Sequence, residues 1–106
     1  MELTELTREI DNIVQQIIRK YHPVKIILFG SAARGKYSEV NDLDFLIIKD
    51  NVPAYGIDRI RELDGLIERN VATDMLVYRS DEIENRIRLG DPFLTNIIKE
   101  GRVLYG

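Results

Sequence analysis

The sequence predicts an α/β fold of the α+β-like kind, a small mixed β-sheet covered by helices. Three observations carry this. Apolar, β-branched runs of strand length stand at residues 24–29, 43–48 and 71–78. Stripes with helical period precede the first run, join the second to the third, and follow the third. A helix between the second and third runs implies a parallel pair with a crossover, whereas too little chain joins the first and second for one, so antiparallel or mixed pairing is expected there.

The elements follow in order. Leu3, Leu6, Ile10, Ile13, Val14, Ile17, Ile18 and Tyr21 recur at spacings that place them on one helical face, and Glu5, Arg8, Glu9, Asp11, Gln15 and Lys20 fall mostly on the other. Pro23 ends this helix, because proline disfavours helical geometry in the residue before it. Val24 to Phe29 is a strand closed by Gly30. Residues 30–35 form a turn leading into a helical turn or two, and Tyr37 to Asn41 is loop. Leu43 to Ile48 is the second strand, entered through Asp42 and broken by Asp50, Asn51 and Pro53. Ile57, Ile60, Leu63, Leu66 and Ile67 predict a helix over roughly residues 55–69, and residues 71–78 form the third strand. Ser80 is read as an N-cap with acids behind it, and the helix it opens stops near Leu89-Gly90. Asp91-Pro92 caps and starts the next helix, which runs to Gly101. Val103 to Tyr105 is a short last strand. No repeat, low-complexity tract or linker divides the chain, so residues 1–106 are read as a single domain.

Composition excludes several chemistries. The 106 residues contain no Cys and one His, which removes disulfides, thiol catalysis, Cys-ligated metals and the usual Ser-His-Asp and multi-His designs. Any metal chemistry must use oxygen ligands. His22 beside Pro23 reads as a structural or surface residue. No apolar run is long enough to span a membrane, and the acidic N-terminal stretch does not resemble a signal peptide, so a cytoplasmic protein is expected. Fifteen Lys and Arg against eighteen Asp and Glu give a net charge of −3, which argues against a polynucleotide as main ligand, since such binding draws on basic excess.

Against nearly pure hydrocarbon strands, three aspartates stand out. Asp42 and Asp44 are two apart in a strand, so they project to one face about 6.5–7 Å apart along the chain, with Leu43 on the other. Asp74 lies inside the third strand and joins them if that strand neighbours the second. Uncompensated carboxylates are costly against an apolar interior, so the three belong at a strand end, in a cleft or on a cation. Oxygen-only ligation favours Mg²⁺, Mn²⁺ or Ca²⁺, and two Mg²⁺ ions could activate an attacking oxygen and stabilise a leaving pyrophosphate. Gly30-Ser31 follows a strand and precedes a helical turn, where glycine permits close approach of a phosphate, amides attract anions and the Ser31 hydroxyl adds a donor. Arg34, one turn on, can meet outer phosphates. The loop is not of Walker type, because no G-K-[ST] follows. Taken singly, a Gly-Ser turn, an Asp-x-Asp and an isolated Asp are more often a plain turn, a solvated strand edge and a satisfied acid. Their order is what carries information.

That order, Gly30-Ser31, ten residues, then Asp42-Leu43-Asp44, resembles the G-S-x10-D-x-D signature of the DNA polymerase β-like nucleotidyltransferases. The stretch ILFGSAARGKYSEVNDLDFLII is similar to the motif region of the minimal nucleotidyltransferases (MNT family), and NIIKEGRVLYG resembles the end of many such chains. The resemblance implies a polymerase-β-type fold. It implies Asp42, Asp44 and Asp74 as catalytic metal ligands, Asp74 also assisting deprotonation of the acceptor. It implies Gly30, Ser31 and Arg34 as nucleotide-binding residues, with ATP as substrate and Mg²⁺, two ions, as cofactor. Asn41 departs from the Ser often found before the first Asp.

Larger relatives carry an acceptor-binding domain, and the sequence given stops soon after Asp74, so a partner is expected to supply much of the acceptor site. In the MNT family that partner is commonly a small all-helical HEPN-domain protein, and the pair acts as a toxin–antitoxin system in which AMP is transferred to a toxin tyrosine. Alternatives are an antitoxin that works by docking alone, and nucleotidyl transfer to a small molecule or an RNA end. Oligomeric state, nucleotide preference and modified residue stay open. Phe93 and Leu94 are read as either partner-facing or core.

Overall fold

The computed structural model describes residues 2–106. Its element order is α1 (Leu3–Tyr21), β1 (Lys25–Phe29), a 3₁₀ turn (Tyr37–Glu39), β2 (Asp42–Ile48), α2 (Gly56–Asp64), β3 (Ala72–Tyr78), α3 (Ser80–Arg88), α4 (Pro92–Glu100) and β4 (Arg102–Tyr105). The four strands form one sheet in the order β3-β2-β1-β4. β2 pairs parallel with β3, and β1 pairs antiparallel with both β2 and β4. The sheet is mixed, as expected from the lengths of the connections.

Alternation along the strands assigns the two faces. Ile26, Leu28, Leu43, Phe45, Ile47, Met75 and Val77 pack with Leu6, Ile13, Ile17 and Tyr21 of α1 and Leu63 of α2 in the larger core. Ile27, Leu46 and Ile48 face the other way, against Ile83 of α3 and Leu94 and Ile97 of α4. Burying each such aliphatic side chain contributes about 1.5–3 kcal/mol relative to leaving it in water. The stripe read for α1 is the buried one, although Leu3 at its start remains 53% exposed. His22 ends α1 in the left-handed conformation at φ 55°, and Pro23 follows. Among the described residues no helix is long and apolar enough to cross a membrane.

Two helices differ from the sequence reading. α2 stops at Asp64 rather than continuing to 69. Gly65 caps it, its N–H reaching the carbonyls of Arg61 and Leu63, and Leu66 donates to Leu63 in a tightened last turn. Ile67 still reaches the core, but from the connection that follows. The apolar spacing therefore recorded burial across a helix end, not one continuous helix. Ile57 is 59% exposed, and the buried residues of α2 are Leu63 and a charged one, Arg59. Ser80 is not the N-cap of α3; Arg79 is. The Glu82 carboxylate accepts the Arg79 N–H at 2.7 Å, while the Ser80 N–H donates to Asp50 Oδ1 at 2.8 Å. Asp91 does cap α4, accepting from the Phe93 and Leu94 amides at 2.9 and 3.2 Å.

Arg59 explains how α2 and α3 are tied together. Its guanidinium donates to Glu82 at 2.6 Å, to the Val77 carbonyl at 3.1 Å, and to the carbonyls of Pro53 and Ala54. A charge this deeply buried is tolerated because its donors are matched by a carboxylate and three carbonyls.

Candidate functional site

The strand register brings the predicted acids to one end of the sheet. In the antiparallel β1–β2 pair, Phe29 stands opposite Asp44; in the parallel β2–β3 pair, Asp44 stands opposite Asp74. Asp42 lies two residues earlier on the same face, opposite Ala72. The three acids share the face that α3 and α4 cover further along, but they lie before that cover begins. Asp42 and Asp74 are exposed, and Asp44 between them is half-buried.

Crowding leaves an electrostatic signature. The Asp44 carboxyl is raised above the ordinary carboxylate range, first by burial, then by the negative charge of Asp74 and of Asp42 and by a hydrogen bond shared with Asp74; Arg34 opposes this. Asp44 therefore holds a proton more readily than a free aspartate does.

Gly30 supplies the other half. Residues 30–36 form a hydrogen-bonded turn rather than the helical turn or two expected, with Arg34 N–H to the Gly30 carbonyl at 3.3 Å and Lys36 N–H to the Ser31 carbonyl at 3.2 Å. The leading N–H groups of such a turn have no partner within it, which suits them to an anion. Gly30 has φ +76°, and a Cβ built on it would collide with the Asp44 carboxylate oxygen. The glycine thus meets two demands, a left-handed backbone and direct apposition to the acid. Ser31 is half-buried and Arg34 exposed on the same turn.

A divalent cation can be tested against this donor set. Among the described residues no three acidic, histidine or cysteine side chains converge into a ready-made cage. Asp44 and Asp74 do lie side by side, with Asp42 next to them, all of them oxygen donors, and beyond burial the charges of Asp74 and Asp42 help raise Asp44, a repulsion that a cation would relieve. The set fits a hard cation such as Mg²⁺, which typically takes one or two carboxylates plus substrate phosphates rather than an all-protein cage.

Beside Gly30, a cavity of about 590 Å³ opens between the end of β1 and α4, lined among others by Phe29, Arg34, Phe93 and Asn96. The sequence reading left Phe93 and Leu94 undecided. Leu94 is fully buried, while Phe93 is 52% exposed and its ring stands perpendicular to that of Phe29. Nothing in the sequence marks Phe29 or Asn96 as site residues. The only signal available was the helical spacing of Phe93, Asn96, Ile97 and Glu100, which cannot name the strand they face.

Residues 11–106 match the family model described as "Polymerase beta, Nucleotidyltransferase". The chain belongs to this nucleotidyltransferase family. Three relatives from Methanocaldococcus jannaschii, each named "putative protein adenylyltransferase", are similar to it. One is 43% identical over 76% of this chain and 77% of its own length. A second is 36% identical over 63% of this chain, and a third 38% over 50%; the matched regions span 47% and 52% of those two relatives, about half of each. No solved structure matches. The polymerase-β-type fold and the minimal nucleotidyltransferase resemblance are thereby borne out, and the chemistry of the family is nucleotidyl transfer.

Proposed function

We propose that the protein transfers AMP from ATP to a protein hydroxyl, the acceptor being a tyrosine of a small all-helical HEPN-domain partner in a cytoplasmic toxin–antitoxin pair. One observation supports this above the rest: Asp44 is held between Gly30 on one side and Asp74 on the other, so a phosphate on the glycine turn lies next to paired acids. The relatives named for protein adenylyltransfer support the acceptor class.

In this reading the Ser31 hydroxyl and the amides of its turn hold the β- and γ-phosphates, and Arg34 neutralises their outer oxygens. Asp42, Asp44 and Asp74 would hold Mg²⁺, which when bound supplies charge neutralisation and polarises the attacking oxygen. The acceptor oxygen attacks the α-phosphorus in line. A bond forms between that oxygen and phosphorus, the bond from phosphorus to the α–β bridging oxygen breaks, and pyrophosphate leaves with the electron pair. The acceptor proton passes to the carboxylates, Asp74 being the one on the edge strand β3. Positioning supplies most of the rate, because the two reacting groups need only be held in line.

The test uses α-labelled ATP and Mg²⁺ with the purified protein and lysate from its source, followed by mass spectrometry of any labelled band. Label on a tyrosine of a small helical protein, absent with Asp44→Asn, is expected. Equal labelling by Asp44→Asn would sink the assignment. ATP binding without any labelled protein would move the acceptor to a small molecule or an RNA end.

A further inference from the structure

The acids and the glycine turn account for phosphates, yet the 590 Å³ cavity beside them is left over. Its size lies within the range of small-ligand sites, roughly 300–1,000 Å³. It adjoins the acids without containing them: Phe29 is the cross-strand partner of Asp44, and Gly30 backs onto the Asp44 carboxylate. On the far wall, Phe93, Asn96 and Glu100 recur at the spacing of one helical face of α4.

The wall chemistry suits a flat heteroaromatic ring. The Phe93 and Phe29 rings form a T-shaped pair, with centroids 6.1 Å apart and planes at 89°. Phe93 is nevertheless half exposed and lines the cavity. Asn96 brings an amide, which offers a donor and an acceptor side by side, the pattern that pairs with a base edge. Arg34 lies on the wall nearest the acids.

Strand order decides which part of the reaction this side serves. β1 and β3 flank β2 on opposite sides, so the cavity lies across Asp44 from Asp74. An acceptor deprotonated at Asp74 enters from the β3 side and leaves the β1 side to the nucleotide. Building on the nucleotidyl-transfer reading, we propose that this cavity receives the purine base of ATP, stacked on Phe93 with its edge hydrogen-bonded to the Asn96 amide.

The experiment is calorimetric titration with Mg·ATP and, separately, Mg·tripolyphosphate, which has the phosphates and no base. The wild type is expected to prefer ATP. Phe93→Ala raises the Kd for ATP by about tenfold or more and leaves that for tripolyphosphate unchanged, as expected for loss of one base–aromatic stack. Phe93→Trp keeps ATP binding, and Asn96→Ala weakens ATP by about fivefold with tripolyphosphate again unaffected. ATP binding by Phe93→Ala equal to the wild type's would overturn the base site while leaving phosphate chemistry at the acids untouched. So would equal loss of both ligands, which marks a structural role, or no wild-type preference for ATP. A wild type that binds neither ligand overturns this proposal and nucleotidyl transfer together.

Discussion

Gly30→Ala is the substitution whose outcome the geometry determines most closely. The residue sits at φ +76°, and the added methyl would strike the Asp44 carboxylate. The left-handed backbone alone costs an alanine about 1–2 kcal/mol. Gly35 provides the matching control, since it sits at φ +77° with nothing within 4 Å of where its Cβ would stand. Gly35→Ala should therefore lose about 1–2 kcal/mol in urea unfolding, or about 4–16 °C in Tm for a domain of this size, and Gly30→Ala at least as much, since the clash with Asp44 adds to the backbone cost. They should part company in AMP transfer. Gly30→Ala must displace Asp44 by a good fraction of an ångström or more, and a misplacement near 1 Å costs about 100-fold in rate, whereas Gly35→Ala moves no acid. The assay is initial rate of label transfer from α-labelled ATP at a temperature where both variants are folded. Equal rates in the two variants would refute the claim that contact with Asp44, rather than backbone conformation, is why glycine stands at 30.

Other outcomes follow from the same structure. Arg59→Ala strips Glu82 and three carbonyls of a buried donor, and should cost about 3–5 kcal/mol by urea unfolding. Because Arg59 holds Glu82 below the usual carboxylate range, Glu82 contributes stability that is fully present above its unfolded value of 4.5 and lost as pH falls through the lower folded value. Unfolding curves collected below pH 5 should show a steeper acid loss in the wild type than in Arg59→Ala. The Tyr21 hydroxyl is buried without a partner and pushed up to about 12 by burial and by Glu62, so Tyr21→Phe should be neutral or stabilising by about 1 kcal/mol. Asp44→Asn replaces a crowded carboxylate by a neutral isostere, and its metal-free Tm should equal or exceed the wild type's even as transfer is lost.

The parts of the fold legible in the sequence are those governed by local period and chain length. The α1 stripe, the strand runs and the Asp91-Pro92 start are each settled within a few residues, and the absence of a crossover before Asp42 narrows the β1–β2 pair to antiparallel or mixed pairing, of which the structure has the antiparallel one. The side-by-side placement of Asp42 and Asp44 follows from strand alternation alone. Harder to see was anything decided by packing at a distance. Apolar spacing could not tell that α2 ends at Gly65 and that Ile67 reaches the core from the connection, nor that Arg59 rather than Ile57 is the buried residue, because Arg59 owes its burial to Glu82, more than twenty residues on. The cavity beside Gly30 belongs to the same class. It exists because the end of β1 meets α4, two segments distant in the chain, and neither Phe29 nor Asn96 carries a local mark of facing the other.

The direction of β4 has a practical side. It runs antiparallel to β1, with Arg102 beside Leu28 and Tyr105 beside Ile26, and Gly106 lies against the Val24 carbonyl. The chain thus leaves the sheet at the end away from Gly30 and the acids. A handle attached after Gly106 would hold the molecule with its reactive end outward, so a surface tethered there can present the site to a candidate partner in solution.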